Sequence, residues 1–424
     1  MLSRRSALLS VPLATLVAAE VAHAGRAGAL VPGWGSGAGE PAAAELAAAS
    51  VRAFTADLFG EMGRSGTGNL ACSPYSVMVA LAMTRVGARG QTARELDAVL
   101  HAPASGELDA GLGSLDQLIS SRSRVVVDNG QEFPVLVQGA NSLWGQQGVA
   151  WVPEFVATLA RYYGAGMRTV DYAGATEQAR QTINAWVGEN TRERIPELLL
   201  PNHLSSRTRL TLVNALYLNA PWWDPFVGET PDVPFTLLDG SVVRAPQMTS
   251  PIRRIGWAQG DGWQAVDLPY VGGELAMALV VPDAGRFAEV EGSCDGAWLG
   301  RLLAGFVSES VQVRMPPWTF RVKAGLQEAL MALGMSTAFG PEADFTGMTE
   351  DEQISIGEVV HETFVAVDRK GTEAAAATAV IINQPSIPTV RAVVTADRPF
   401  LFVIHDVATA TPLFIGRVMD PRTS

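Results

Sequence analysis

The chain predicts an α+β fold with extensive antiparallel sheet, and three observations carry that prediction. Helical and extended patterns alternate along 424 residues without the strand–helix–strand rhythm of a parallel sheet. Ser73-Pro74 is a strong helix start, serine suiting the cap and proline the first turn. Near the C-terminus, FLFVIH (Phe400 to His405) and LFIGRV (Leu413 to Val418) flank a turn and read as a buried hairpin.

The N-terminus reads as a targeting segment. Ser3-Arg4-Arg5-Ser6 precedes the apolar run Ala7 to Ala19, and Ala22-His23-Ala24 offers a small-x-small cleavage site. The run is too short to span a bilayer. Its paired arginines suggest twin-arginine export of a folded protein, although an ordinary secretory signal can carry two arginines as well. Residues 1–24 are therefore read as a signal peptide, and the protein as exported, extracellular or periplasmic. Gly25 to Glu40, rich in Gly, Ala and Ser, reads as a flexible tether. No later stretch resembles a linker, so residues 41–424 read as one domain.

Within that domain Ala42 to Met62 is helical, with apolar positions at Leu46, Val51, Phe54, Leu58 and Phe59. The helix opened by Ser73-Pro74 runs to Gly87, and a short one follows from Thr92 to Leu100. Glu177 to Glu193 and Ala324 to Leu333 are further amphipathic candidates. Strands are expected at Val135 to Trp144, Leu210 to Leu218, Ala276 to Val281, Val311 to Met315 and Val359 to Val367, besides the C-terminal pair.

A hydrophobic content of 48% can supply a sizeable core, and a net charge of −12 argues against nucleic-acid or anionic-membrane partners. Lysine occurs only at Lys323 and Lys370. Cys72 and Cys294 could pair in an exported protein, but two cysteines cannot scaffold a chain of this size; they read as free, mostly buried thiols. Enzyme signatures are missing: there is no G-x-S-x-G elbow, H-E-x-x-H or P-loop. Gly66 to Ala71 fits G-x-G-x-x-A, yet no strand precedes it, so it reads as a loop. His101, His203, His361 and His405 lack metal-ligand spacing from one another. His361 follows Val359-Val360 and reads as a satisfied core histidine. No metal, cofactor or catalytic activity is expected.

One stretch resists this scheme. VDRKGTEAAAATAVIINQPSIPTV (Val367 to Val390) carries four consecutive alanines but no 3.6-residue apolar stripe, and it stops at Pro385 and Pro388. If it is extended, Thr372, Ala374, Ala376, Thr378, Val380 and Ile382 share one small or apolar face, with Glu373 on the other, towards water.

Several segments together resemble the serpin family. They are NLACSPYSVMVALAMTRVGARGQTARELDAVL (Asn69 to Leu100), VNALYLNAPWWDPF (Val213 to Phe226) and LQEALMALGMSTAFGPEADFTGMT (Leu326 to Thr349). VHETFVAVDRKGTEAAAATAV (Val360 to Val380) and ADRPFLFVIHDVATATPLFIGRVMDP (Ala396 to Pro421) resemble the family's hinge and C-terminal signatures. The resemblance spans almost the whole chain after the tether. It implies three β-sheets, about eight or nine helices and an exposed reactive-centre loop, here about residues 372–390. It also implies suicide inhibition of serine proteases, with cysteine proteases a further target class. The protease cleaves the loop and is trapped as an acyl-enzyme while the hinge side of the loop inserts into the main sheet.

Carried over residue by residue, the hinge is Gly371, Thr372, Glu373, Ala374, Ala375, Ala376 and Ala377. Ser73, Ser76, Asn214 and His361 match a polar cluster beneath the point where the sheet opens, and Trp222 matches a tryptophan at the top of that opening. Arg369 departs from the family, which usually has an acid there; this puts the local charge pairing in doubt. Spacing from Gly371 sets the scissile bond at Pro385–Ser386, with Ile382–Asn383 as the alternative. No Lys, Arg or aromatic residue lies between Thr372 and Val390, so the target is expected to be elastase-like, subtilisin-like or proline-tolerant, not trypsin-like. Sparse Lys and Arg between Gly106 and Arg124 imply no polyanion cofactor, and a monomer is expected. The competing reading is a non-inhibitory serpin, a carrier or structural protein whose loop does not insert.

Overall fold

Ser73 and Pro74 act as their chemistry dictates. In the computed structural model the Ser73 hydroxyl accepts from the Ser76 amide as an N-cap, and Pro74 opens a helix that ends at Gly87. The structure describes residues 41–64, 66–164, 167–357, 359–373 and 390–423. The signal peptide, the tether, Ala374 to Ala377 and both candidate scissile bonds lie outside the described residues.

Nine α-helices occur among the described residues: α1 Pro41–Arg64, α2 Pro74–Gly87, α3 Gly90–Val99, α4 Leu108–Ser120, α5 Pro153–Tyr163, α6 Tyr172–Asn190, α7 Phe287–Gly292, α8 Gly296–Ala304 and α9 Gln327–Ala332. The main sheet is built from β1 Arg124–Asp128, β2 Gln131–Gln146, β3 Arg168–Val170, β4 Leu210–Pro221, β5 Trp318–Gly325, β6 Val360–Val367 and β7 Gly371–Thr372. Its order is β5-β6-β7-β4-β2-β1, with β3 parallel to β2.

The remaining ten strands connect into one sheet. The C-terminal hairpin, Phe400–Asp406 against Thr411–Val418, is wholly buried within it. Strands Gly228–Thr236, Val242–Thr249, Val307–Met315 and Ala392–Thr395 form a smaller group. Among the described residues that group joins the hairpin's side only through pairing of Val307–Met315 with Arg253–Gly260.

β4 reads LTLVNALYLNAP and lacks polar alternation because both its faces are covered. Leu210, Leu212, Leu216, Leu218 and Ala220 enter the main core, while Val213 and Ala215 pack with Ile183 and Val187 of α6. The same period of two runs along β6, where Val365 and Val367 face the core and Val360 faces α6.

Two boundaries correct the sequence reading. Ala324 is not helical: β5 runs to Gly325, Ala324 pairs with His361, and the Leu326 amide still donates to Val359, so the backbone cannot coil before Gln327. The helix expected at Glu177 to Glu193 begins at Tyr172, behind an Asp171 N-cap. It ends at Asn190, since Arg192 and Glu193 are left-handed (φ 51° and 61°). Strand Gly228–Thr236 has no counterpart in the sequence reading, because Pro231 and Pro234 argue against any strand except one at an edge, which is where it lies.

Candidate functional site

β4 and β6 run side by side but are not zipped together. One parallel bridge, Leu212 to Val359, joins them at one end. At the other end β7 lies between them, with Gly371 opposite Pro221 and Thr372 opposite both Ala220 and Val367. Among the described residues no other backbone ladder joins the two strands. The gap below Thr372 is thus lined by strand edges, whose unpaired N–H and C=O groups are costly to leave unsatisfied.

The sequence makes the mouth of this gap rigid. Asp368 Oδ1 accepts from the Lys370 amide (2.6 Å) and the Gly371 amide (3.2 Å), closing the turn from β6 into β7. The Trp222 indole N–H donates to the Asp368 carbonyl (2.9 Å), and its ring stacks on Tyr270 with centroids 4.5 Å apart. The Tyr270 hydroxyl lies 2.6 Å from the Thr372 hydroxyl, and burial pushes the phenol above its ordinary pKa. Arg369 needs no acidic partner: its Nε donates to the Phe226 carbonyl (3.3 Å), while the Phe226 amide donates to the Arg369 carbonyl (2.9 Å). The residue that departs from the family pattern is thus tied to Phe226 by two hydrogen bonds.

About 20 Å further down the strands, the polar cluster closes the floor. His361 Nε2 accepts from the Ser73 amide (3.0 Å), so the ring proton sits on Nδ1 and donates to Asn214 Oδ1 (2.9 Å) across the gap. The Thr363 hydroxyl lies 2.7 Å from the same Nε2. Burial pushes the imidazole down to about 4, so it is neutral at pH 7. Ser76 joins indirectly, its hydroxyl donating to Asn141 Oδ1 (3.1 Å), and Asn141 faces Asn214 in the β2–β4 register. The Asn214 amide nitrogen is buried without a hydrogen-bond partner among the described residues.

The structure therefore brings Ser73, Asn214 and His361 together, links Ser76 through Asn141, and places Trp222 apart at the mouth. Sequence reading missed Thr363, Asn141 and Tyr270. Thr363 was within reach, two residues from His361 on the same strand face; the other two depend on long-range register.

Glu373 is also corrected. It lies on the outer face, but its side chain is only 2% exposed, and its φ of 56° is left-handed rather than extended. The Asn219 side-chain amide donates to its carbonyl (2.6 Å). Elsewhere, Cys72 and Cys294 are buried and unbonded, and burial pushes the Cys294 thiol up to about 12. Among the described residues no cluster of three or more His, Cys, Asp or Glu could hold a metal ion, and no helix is long and apolar enough to cross a membrane.

A sheet that grips the first residues of a loop above a gap with open edges is the framework of a strand-inserting protein. Residues 49–421 match the family described as Serpin (serine protease inhibitor), and the chain belongs to it. An uncharacterized serpin-like protein of Thermococcus kodakarensis is 35% identical over 88% of this chain and 85% of its own. The leukocyte elastase inhibitor of Bos taurus is 34% identical over 89% of this chain and 100% of its own. Among solved structures, the thermophilic serpin tengpin in its native state aligns with TM-score 0.76 at 25% identity, covering 88% of this chain and 94% of that one. Uncleaved ovalbumin aligns at 0.77 and 24%, covering 88% and 99%, a likeness of fold alone.

Proposed function

We propose that this serpin is an exported, monomeric suicide inhibitor of elastase- or subtilisin-like serine proteases, and that its cleaved loop enters the main sheet between β4 and β6. The observation that carries this reading is β7: Gly371 already pairs with β4, and Thr372 with both β4 and β6. Serpin loop insertion is a recognised case of strand addition, and the register here gives it coordinates. Continued below Thr372, it sets Ala374 opposite Leu218 and Val365, and Ala376 opposite Leu216 and Thr363. Thr378 then meets Asn214 and His361, and Val380 meets Leu212 and Val359. The inward face expected from the sequence is the one Thr372 already presents to the core. A Thr378 hydroxyl would also give the orphaned Asn214 amide an acceptor.

Specificity rests on the loop. It offers no cation to a trypsin-type pocket and no aromatic ring to a deep slot, and the curated relatives include leukocyte elastase inhibitors. Arg369, a support of the non-inhibitory reading, is bonded to Phe226. Export follows from residues 1–24 alone and is checked by cell fractionation.

Mixing the protein with a protease panel tests the reading. An SDS-stable complex is expected with elastase, subtilisin or a proline-tolerant protease and none with trypsin. The released C-terminal peptide should begin at Ser386, or at Asn383 if the alternative bond is used. Cleavage of the loop by every protease tested, with no complex, would refute inhibition.

A further inference from the structure

The same register fixes where residue 375 must go during insertion: on the outer face, between Tyr217 of β4 and Phe364 of β6. That place is taken. Glu373, left-handed with a φ of 56°, directs its side chain along the outer face into this slot, where it is 2% exposed. Its carboxylate lies 3.4 Å from Arg194 Nε, and the Arg194 guanidinium rests 5.5 Å from the Phe364 ring centroid. Arg321 covers the same ring at 5.2 Å. On the other wall the carboxylate faces Tyr217, close enough to raise the phenol's pKa after burial has done so. Yet neither carboxylate oxygen makes a hydrogen bond of good geometry among the described residues.

The clamp is itself positioned. Arg194 follows Arg192 and Glu193, two consecutive left-handed residues, and the Glu193 amide ties back to Gly188 of α6 (2.8 Å). Left-handed backbone is unfavourable for a side-chain-bearing residue, and a carboxylate this buried, held by an ion pair at 3.4 Å and by no hydrogen bond of good geometry among the described residues, is poorly compensated. The arrangement holds, but little would release it.

We propose that the Glu373 side chain, clamped by Arg194, is a plug in the slot that Ala375 occupies on insertion, and that its withdrawal sets the pace at which the strand enters. Glu373 and Arg194 are positioning residues in this scheme: neither touches the protease. The proposal rests on the insertion reading above.

A synthetic peptide with the sequence of residues 374–382, AAAATAVII, tests both separately. Added to the intact protein, it should fill the gap slowly, read as a rise in unfolding midpoint and a shift on native gels. Glu373→Ala should speed filling about tenfold, since plug and clamp both go. Glu373→Gln and Arg194→Gln, which keep the plug's bulk or its charge, should each speed it about threefold, and the double variant no more than either alone. The peptide-filled forms should melt together, because the plug acts only before filling. Equal filling rates in wild type and all variants, or additive effects of the two glutamines, would overturn the plug while leaving insertion standing. A wild-type sheet that takes up no peptide would overturn both.

Discussion

The two ends of the gap between β4 and β6 are held by different chemistry. At the mouth, Trp222, Tyr270 and the Asp368 turn grip β7 with stacked rings and short hydrogen bonds. At the floor, one backbone bridge and a neutral His361–Asn214 bond keep the strands together. The mouth is already committed to a third strand, and its aromatic stack has no group that titrates near neutral pH. The floor is shut by a proton position. A sheet that must open once, on demand, thus has a fixed end and a releasable one.

The largest effect should come from obstructing the track between them. Ala376→Arg would set a cation against Leu216 and Thr363 on the core side, where an unpaired charge costs several kcal/mol. Insertion would stall and hydrolysis of the acyl-enzyme would overtake it, so the number of inhibitor molecules consumed per protease should rise steeply. Ala377→Arg, on the outer face, should raise it little; equal rises would refute the face assignment.

Breaking the mouth comes next. Trp222→Ala removes a fully buried ring, and such truncations cost about 3–5 kcal/mol. Urea unfolding of the uncleaved protein should show that loss. A loss below about 1 kcal/mol would mean that the stack does not hold the mouth.

The floor should answer to acid. His361 binds its proton near 4 when folded, against an ordinary value of 6.5. The unfolded chain is protonated first, so stability is lost as pH falls from about 6.5 towards 4, on the order of 3 kcal/mol in all. Protonated Nε2 would also point an N–H at the Ser73 amide. His405 has the opposite slope: burial lowers its pKa, but Asp267 (2.9 Å) and Asp406 together raise it above the ordinary value, so its contribution is lost as pH rises. Comparing urea midpoints of wild type and His361→Gln at pH 7 and pH 5 isolates the floor. An acid loss that persists unchanged in the variant would place it elsewhere.

Much of this was legible in the sequence because it depends on local chemistry. Ser73 and Pro74 fix a helix start, and FLFVIH and LFIGRV fix a hairpin. What stayed hidden depends on partners far along the chain. Tyr270 meets Thr372 across about a hundred residues, and Arg194 meets Glu373 across still more. Glu373 misled for a physical reason. A lone charge in an alanine run reads as solvated, and nothing nearby in sequence shows that an arginine after α6 waits beside an aromatic ring.

β7 has one more consequence, for copies of the protein that meet one another. An open pair of strand edges is a template for any passing extended segment, and the step most easily frustrated is the first pairing, when chain order is lost before contacts accumulate. Gly371 and Thr372 have taken that step within the same molecule. A neighbour's loop cannot begin at the top of the gap, because the resident strand occupies it, and at the bottom it meets the Leu212–Val359 bridge. Two paired residues thus favour the chain's own loop over every other, before any protease arrives.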